Sequence, residues 1–512
     1  MLKSESYKGG LYFSTVLNII AKGIGFVNTL LVAFYFGSNT STDIYFYILS
    51  VAILITSAIN GIDYLVLIPE AMKLRENNSE RRSQYFLNFF IWLYGFIGLL
   101  LTFAIIISPV FFFTLFSKFD VSHLQHNIGL LYIGSIIIVF QLLNNLLGAI
   151  LVSYKYFTVP IISGLINSCF AIVLTIICHN KLGITGTILG ISSGFIINFI
   201  LLIYLMKKKL HWNFFKFYWV KSKKLWQNIG LMQLNILPVW IRNYIVIFLL
   251  SGLGTGIITS VNLGQMLALL PEVFILTQIA SVVGIKFSEL AAKQQYSEAG
   301  KLMSNLVNVL YVLLLPVAIT MAVASNDIIT IVFQRGGFNH NSAAITAFCL
   351  FYFALILPSK IYSVAFTRLF TSFQVYGLST LFAVTGHFVI TVTTYFTIRY
   401  FQLKGYFISE MLGYYFIMPV IFYLIMLYRF KKIKRQEIVR NFFLTIITLP
   451  VLYFVFSNLY NKLHFNVFIN IFLLSMGSLL AILLFANYTL DLKYFWHSVN
   501  QIRQKINSIF SR

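Results

Sequence analysis

Acidic side chains are scarce in this sequence. Asp and Glu number 14 among 512 residues, against 37 Lys and Arg, and charged residues of both signs make up only 10% of the chain. A water-soluble domain is about one-quarter charged, so this chain lacks the polar groups needed to cover a water-facing surface. Cysteine is scarcer still. Cys169, Cys178 and Cys349 all lie inside apolar runs, which excludes a disulfide framework and a metal-binding spacing. Missing too are a nucleophile–base pair, a glycine-rich phosphate loop, a nucleotide-hydrolysis motif and a His/Cys cluster. The sequence therefore offers no catalytic residues, no metal site and no resident cofactor, and it does not read as an enzyme.

What the chain has is apolar length. Hydrophobic residues make up 59% and the mean hydropathy is +0.86. Apolar runs of about 20 residues mark membrane-crossing helices, because no backbone polar group can go unpaired in hydrocarbon. Such runs fall at 13–36, 44–69, 86–116, 127–153, 159–178, 183–206, 226–250, 257–283, 302–325, 343–366, 376–399, 405–428, 439–456 and 465–487. They predict an all-α polytopic membrane protein of about fourteen helices. The first run is too long for a signal peptide and no small-residue cleavage site follows it, so it is expected to stay as a span.

The net charge of +23 does not form one basic face, which sets nucleic acid aside as a partner. With the N-terminus in the cytoplasm, the connections on that side and both tails carry 28 of the 37 Lys and Arg, and the opposite side six. This asymmetry predicts cytoplasmic termini. The heaviest basic runs, Lys207 through Lys224 and Arg429 through Arg440, read as topology anchors near anionic lipid.

Motifs recur at a near-constant offset. Asn28-x8-Gly37 returns as Asn243-x8-Gly252, Leu115-Phe116 as Val332-Phe333, and Tyr154-Lys155-Tyr156-Phe157 as Thr367-Arg368-Leu369-Phe370, 215, 217 and 213 residues on. Six spans per repeat give both copies one orientation. The expected organisation is a six-helix lobe over 1–206, a basic cytoplasmic linker over 207–225, a second pseudo-symmetric lobe over 226–428, and a basic loop with two added helices and a tail over 429–512.

Two motifs carry a family resemblance. Phe36-Gly37 followed by Thr42-Asp43-Ile44-Tyr45-Phe46 is similar to the FG…TDAFF signature of the MviN/MurJ-like branch of the multidrug/oligosaccharidyl-lipid/polysaccharide exporter superfamily. Val332-Phe333-Gln334-Arg335-Gly336-Gly337-Phe338 resembles that branch's LFQRGxF motif. Gly148-Ala149-Ile150-Leu151 and Pro271 also stand where members of the branch have them, and the likeness runs over nearly the whole chain. It implies a flippase of the bacterial inner membrane that moves an undecaprenyl-diphosphate-linked saccharide from the cytoplasmic to the outer leaflet. Lipid II flippases of the branch line their cavity with arginines. The corresponding positions here hold Lys22, Asn28, Thr56 and Met266, so one cation of four is kept, which favours a related lipid-linked oligosaccharide.

An ion inside a span costs about 2.5–3.5 kcal/mol on insertion scales and needs a reason. Lys22 in span 1 and Arg242 in span 7 are the expected cavity cations, placed in opposite lobes so as to clamp an anionic diphosphate; Lys360, nearer the end of span 10, is a third. Asn28, Asp43, Asn243 and Arg335 are expected as cavity-polar or gate residues, with Asp43 able to cap a helix N-terminus. Glu272, after Pro271, is expected to balance Lys22 or Arg242 or to bind a coupling cation or proton; His387 is a second coupling candidate. Asp63 and Glu410 lie nearer span ends and read as structural. Partners expected besides the cargo are membrane lipids and envelope-synthesis proteins. The rival readings are authentic lipid II flipping, a cation-coupled exporter of small drugs on the same fold, and a non-transporting scaffold.

Overall fold

The computed structural model describes residues 7–77, 79–429 and 435–489. Among them every regular element is a helix. The helices are α1 Tyr7–Phe36, α2 Thr40–Ile62, α3 Ile68–Asn77, α4 Glu80–Ile107, α5 Pro109–Phe116, α6 Val121–His126, α7 Ile128–Ser153, α8 Val159–Leu182, α9 Ile184–Leu210 and α10 Lys223–Leu250. They continue as α11 Ile257–Pro271, α12 Thr277–Ala292, α13 Tyr296–Val323, α14 Ser325–Phe333, α15 His340–Ser372, α16 Tyr376–Leu412, α17 Met418–Arg429, α18 Arg435–Tyr460 and α19 Val467–Thr489. Single π-helical turns, Asp63–Leu67, Glu272–Leu276 and Gly413–Ile417, join α2 to α3, α11 to α12 and α16 to α17.

Twelve helical stretches among the described residues are long and apolar enough to cross a membrane, or thirteen when the bent α10 is counted as one span. The bend in α10 is 43° and separates Lys223–Leu234 from Ile236–Leu250. Pro238 explains it: the proline ring collides with the carbonyl four residues back, at Leu234. The expected count of about fourteen divides 376–428 in two, and the stretch Gly377–Tyr428 does fold back on itself: the Thr394 hydroxyl donates to that of Ser409 at 2.8 Å, and Gly386 packs against Met418. The reversal is at Gln402, which leaves helical geometry at φ 51°, ψ −131°, so the two expected spans pack as a hairpin joined by a tight turn.

Helix starts follow capping chemistry. Asn39 accepts a hydrogen bond from the Thr42 amide at 3.0 Å while the Thr42 hydroxyl accepts one from the Asn39 amide at 2.8 Å, fixing the start of α2. Ser79 and Ser222 cap α4 and α10 through the amides of Arg82 and Leu225.

The chain packs as two compact units, residues 1–259 with 333–342, and residues 260–332 with 343–512. In the first, α7 packs on α2, α4 and α9, α8 on α1 and α9, and α10 on α2. Its buried core includes Leu67, Leu87, Leu146, Leu147, Ile150 and Leu202. In the second, α13 packs on α18 and α19, with a core around Leu310, Leu314, Ile361, Leu369 and Ile390. This division falls later than the basic linker at 207–225. α10 goes with the first unit because Gln233 and Trp240 donate side-chain hydrogen bonds to the carbonyls of Ala58 and Leu54, both at 2.9 Å. Residues 430–434 of the basic loop and the tail 490–512 lie outside the described residues.

Candidate functional site

The two motifs that carried the resemblance meet in space. Gly37 (φ +67°) ends α1, and Gly336 (φ +58°) turns the chain after α14. Gly337 donates its amide to the Phe34 carbonyl at 2.7 Å. A Cβ at Gly37 would strike the Gly337 carbonyl, and one at Gly336 the Phe34 carbonyl, so close approach and left-handed geometry both require glycine. Arg335 sits exposed in this turn.

The knot extends to the loop before α11. Asp43 is 1% exposed. Its carboxylate accepts hydrogen bonds from the amides of Gly256 (2.5 Å) and Thr259 (2.8 Å) and from the Thr259 hydroxyl (2.7 Å). The Thr259 hydroxyl lies 3.0 Å from that of Thr42, and Ser38 donates to the Gly256 carbonyl at 2.9 Å. Asp43 thus caps the first turn of α11, while its own helix is capped by Asn39. The anion meets the positive end of a helix dipole and satisfies amides that have no partner within that helix. Asn28 is buried on α1 beside Tyr45, whereas Asn243 is exposed on α10.

Of the expected cations, Lys22 is exposed on the surface of α1 and Arg242 is 7% exposed on α10. Both belong to the first compact unit, where the sequence had put them in separate lobes. Lys360 is bound elsewhere. Its Nζ lies 2.6 Å from Oε2 of Glu272, with each side chain 23% exposed. Glu272 therefore balances Lys360, and not Lys22 or Arg242 as the sequence suggested. The pair joins α15, two residues after Pro358, to the π turn that follows Pro271. The ion pairs 70/73, 286/289 and 298/301 link exposed residues one turn apart on single helices and carry little energy. His387 is half-buried on α16, and its carbonyl accepts from the Thr391 hydroxyl at 2.7 Å.

An apolar cavity of about 370 Å³ opens in the second unit between α15, α17 and α18. Tyr362, Phe366, Phe422, Phe442, Phe443 and Ile446 are among the side chains lining it. The phenols of Tyr362 and Tyr415 are engaged with the Thr445 hydroxyl and the Leu355 carbonyl, which leaves the walls apolar.

Sequence reasoning read Asp63 as structural. It is 1% exposed, opens the first π turn, and faces Tyr94 of α4. The signal was available, a lone acid within the apolar stretch Ile62–Pro69, but span counting placed it near a helix end.

Comparison with known proteins follows the geometry. The sequence model of the family described as lipid II flippase MurJ matches residues 32–477. A curated relative from Borreliella burgdorferi, named as a probable lipid II flippase MurJ, is 23% identical over 93% of this chain and 96% of its own length. A solved structure of a lipid II flippase MurJ in an inward closed conformation superposes with a TM-score of 0.75 at 17% identity, covering 93% of this chain and 99% of the other. An inward-facing multidrug resistance MATE family transporter of the MOP superfamily gives 0.64 at 14% identity, over 81% and 95%.

Proposed function

The chain belongs to the lipid II flippase MurJ family of multi-pass membrane transporters, and from that premise we propose that it translocates an undecaprenyl-diphosphate-linked saccharide across the bacterial inner membrane. The match across residues 32–477 carries this reading. The proposed direction is from the cytoplasmic to the outer leaflet; the termini are assigned to the cytoplasm, an orientation that the excess of Lys and Arg on one side supports.

No covalent bond breaks in such a step. What the protein must supply is a cationic surface for the diphosphate and an apolar path for the prenyl tail. Lys22, Arg242 and Lys360 are the cations in membrane-crossing helices assigned to the first task. The 370 Å³ apolar cavity between α15, α17 and α18 suits a stretch of the tail. Alternating access then moves the headgroup while the rest of the tail stays in lipid. A membrane potential of 100 mV supplies about 2.3 kcal/mol per charge moved, enough to bias the cycle.

Depletion of the protein in its host tests the reading. The expected result is accumulation of an undecaprenyl-diphosphate-linked intermediate on the cytoplasmic leaflet. Unchanged lipid-linked pools together with increased drug sensitivity would replace it with drug export. Complementation of a conditional lipid II flippase mutant decides whether lipid II itself is carried.

A further inference from the structure

The geometry points to a proton-binding site at Asp63 and Tyr94, buried in the first unit and distinct from the cations assigned to the cargo. Tyr94 donates its hydroxyl to Oδ1 of Asp63 at 2.8 Å. Oδ2 is buried with no hydrogen-bond partner. Around the pair lies an apolar cluster that includes Ile62, Val66, Leu67, Phe90, Leu143 and Leu147. An ionised carboxylate in hydrocarbon surroundings needs several donors or a cation, and one phenol does not meet that need. In this closed packing the neutral acid is the form that fits. A metal ion is a poor alternative, because a cation of the sodium or calcium kind calls for several oxygen ligands, and among the described residues no three His, Cys, Asp or Glu side chains come together.

The groups facing Asp63 are few. Tyr94 comes from α4, and Tyr64, its neighbour along the chain, is half-exposed. From α7 the approach is apolar, Leu143 and Leu147, and that helix has no charged residue. On α10 the cation in the span is Arg242, but Trp240 reaches Leu54 and Ile236 packs at Gly61, so Arg242 lies toward the opposite end of α2 from Asp63. α3 brings Glu70, Lys73, Arg75 and Glu76, of which Glu70 and Lys73 pair with each other and Arg75 donates to Ser153.

The backbone gives the proton something to act on. Asp63 begins the π turn Asp63–Leu67, and its carbonyl accepts from the Ile68 amide in place of a regular α-helical bond. Such turns are locally weak and recur at functional sites. Release of the proton leaves a charge that must find water. The seam between α2, the π turn and α4 then opens, and rebinding closes it. The site is thus a switch on the packing of the first unit, set by a single proton.

The test needs no cargo. Full-length protein in lipid nanodiscs is titrated while infrared difference spectra follow protonated carboxyl groups, and amide exchange is read over residues 59–70 and 90–98. Wild type is expected to lose a buried protonated-carboxyl band as pH rises. Above the midpoint its exchange, relative to D63N at the same pH, is expected to rise about tenfold per pH unit, as opening linked to one proton requires. D63N should lack the band and stay protected. Y94F, which leaves the carboxyl in place and serves if D63N fails to fold, should keep the band but move the profile to higher pH, since the charged form has lost its donor. Identical profiles for wild type and Y94F, or for wild type and D63N, would overturn the proposal. Protection restored by sodium at fixed pH would overturn it in favour of a cation site.

Discussion

Asp43 and Thr259, 216 residues apart, are joined by two hydrogen bonds, at 2.8 Å from the Thr259 amide and 2.7 Å from its hydroxyl, to one carboxylate oxygen. The separation matches the offset of 213 to 217 at which motifs recur in the sequence. The start of α2 and the start of α11, equivalent points in the two repeats, are therefore fastened to each other by one buried acid. Asp43→Asn keeps the shape but turns an amide group toward backbone donors and removes the charge. Charge-assisted bonds of this kind contribute about 1.5–3 kcal/mol. Thermal unfolding in detergent should show Asp43→Asn less stable by about 2 kcal/mol, with Asn39→Ala costing about 1 kcal/mol as an ordinary helix cap.

Gly37 and Gly336 are held in left-handed geometry with no room for a Cβ. Gly37→Ala and Gly336→Ala should each cost at least about 1–2 kcal/mol from backbone conformation alone, with more from the collisions at Gly337 and Phe34. Gly230→Ala, at a helical glycine with open space around it, is the control expected to melt at or above the wild-type temperature.

Glu272 and Lys360 are about three-quarters buried, so neither charge is tolerated well alone. Glu272→Gln and Lys360→Gln are each expected to destabilise by about 2 kcal/mol, below the range for fully buried pairs. The double variant should cost less than the two singles together by about 1 kcal/mol. Unfolding measured around this cycle checks the coupling. Additive costs would show that the two side chains do not act as a pair.

Much of this fold was legible in the sequence. Hydropathy located the membrane helices to within a few residues, since hydrocarbon admits no unpaired backbone over that length. The Phe36-Gly37 and Arg335-Gly336-Gly337 motifs signalled tight turns through their glycines. What the sequence could not show was which distant group each polar side chain meets. Asp43 opens a helix and was expected to cap one; that it caps α11 depends on a contact 213 to 216 residues away. The partner of Glu272 is likewise chosen by the packing of α15. The break at Gln402 falls between the expected spans 376–399 and 405–428, where the apolar run is interrupted, although Gln402 itself is neither proline nor glycine. α10 was assigned by its place after the basic linker; its packing groups it with the first compact unit, where Gln233 and Trp240 donate to α2.

The apolar cavity between α15, α17 and α18 makes its own prediction. Ile446→Trp should fill part of its 370 Å³ with little loss of stability, because the added ring enters existing space. Translocation of a probe with a full-length prenyl tail should slow several-fold, and that of a short-chain analogue should change less. Equal effects on the two probes would remove the cavity from the tail's path.

The most direct measurement reconstitutes wild type, Lys22→Gln, Arg242→Gln and the double variant in vesicles at matched amounts. An undecaprenyl-diphosphate-linked saccharide labelled on its headgroup then reports movement between leaflets. The account predicts translocation by wild type, a loss of about tenfold or more in each single variant if each cation contributes a charge-assisted bond to the diphosphate, and none above background in the double variant. Wild-type rates in the double variant, with its expression and melting unchanged, would contradict it.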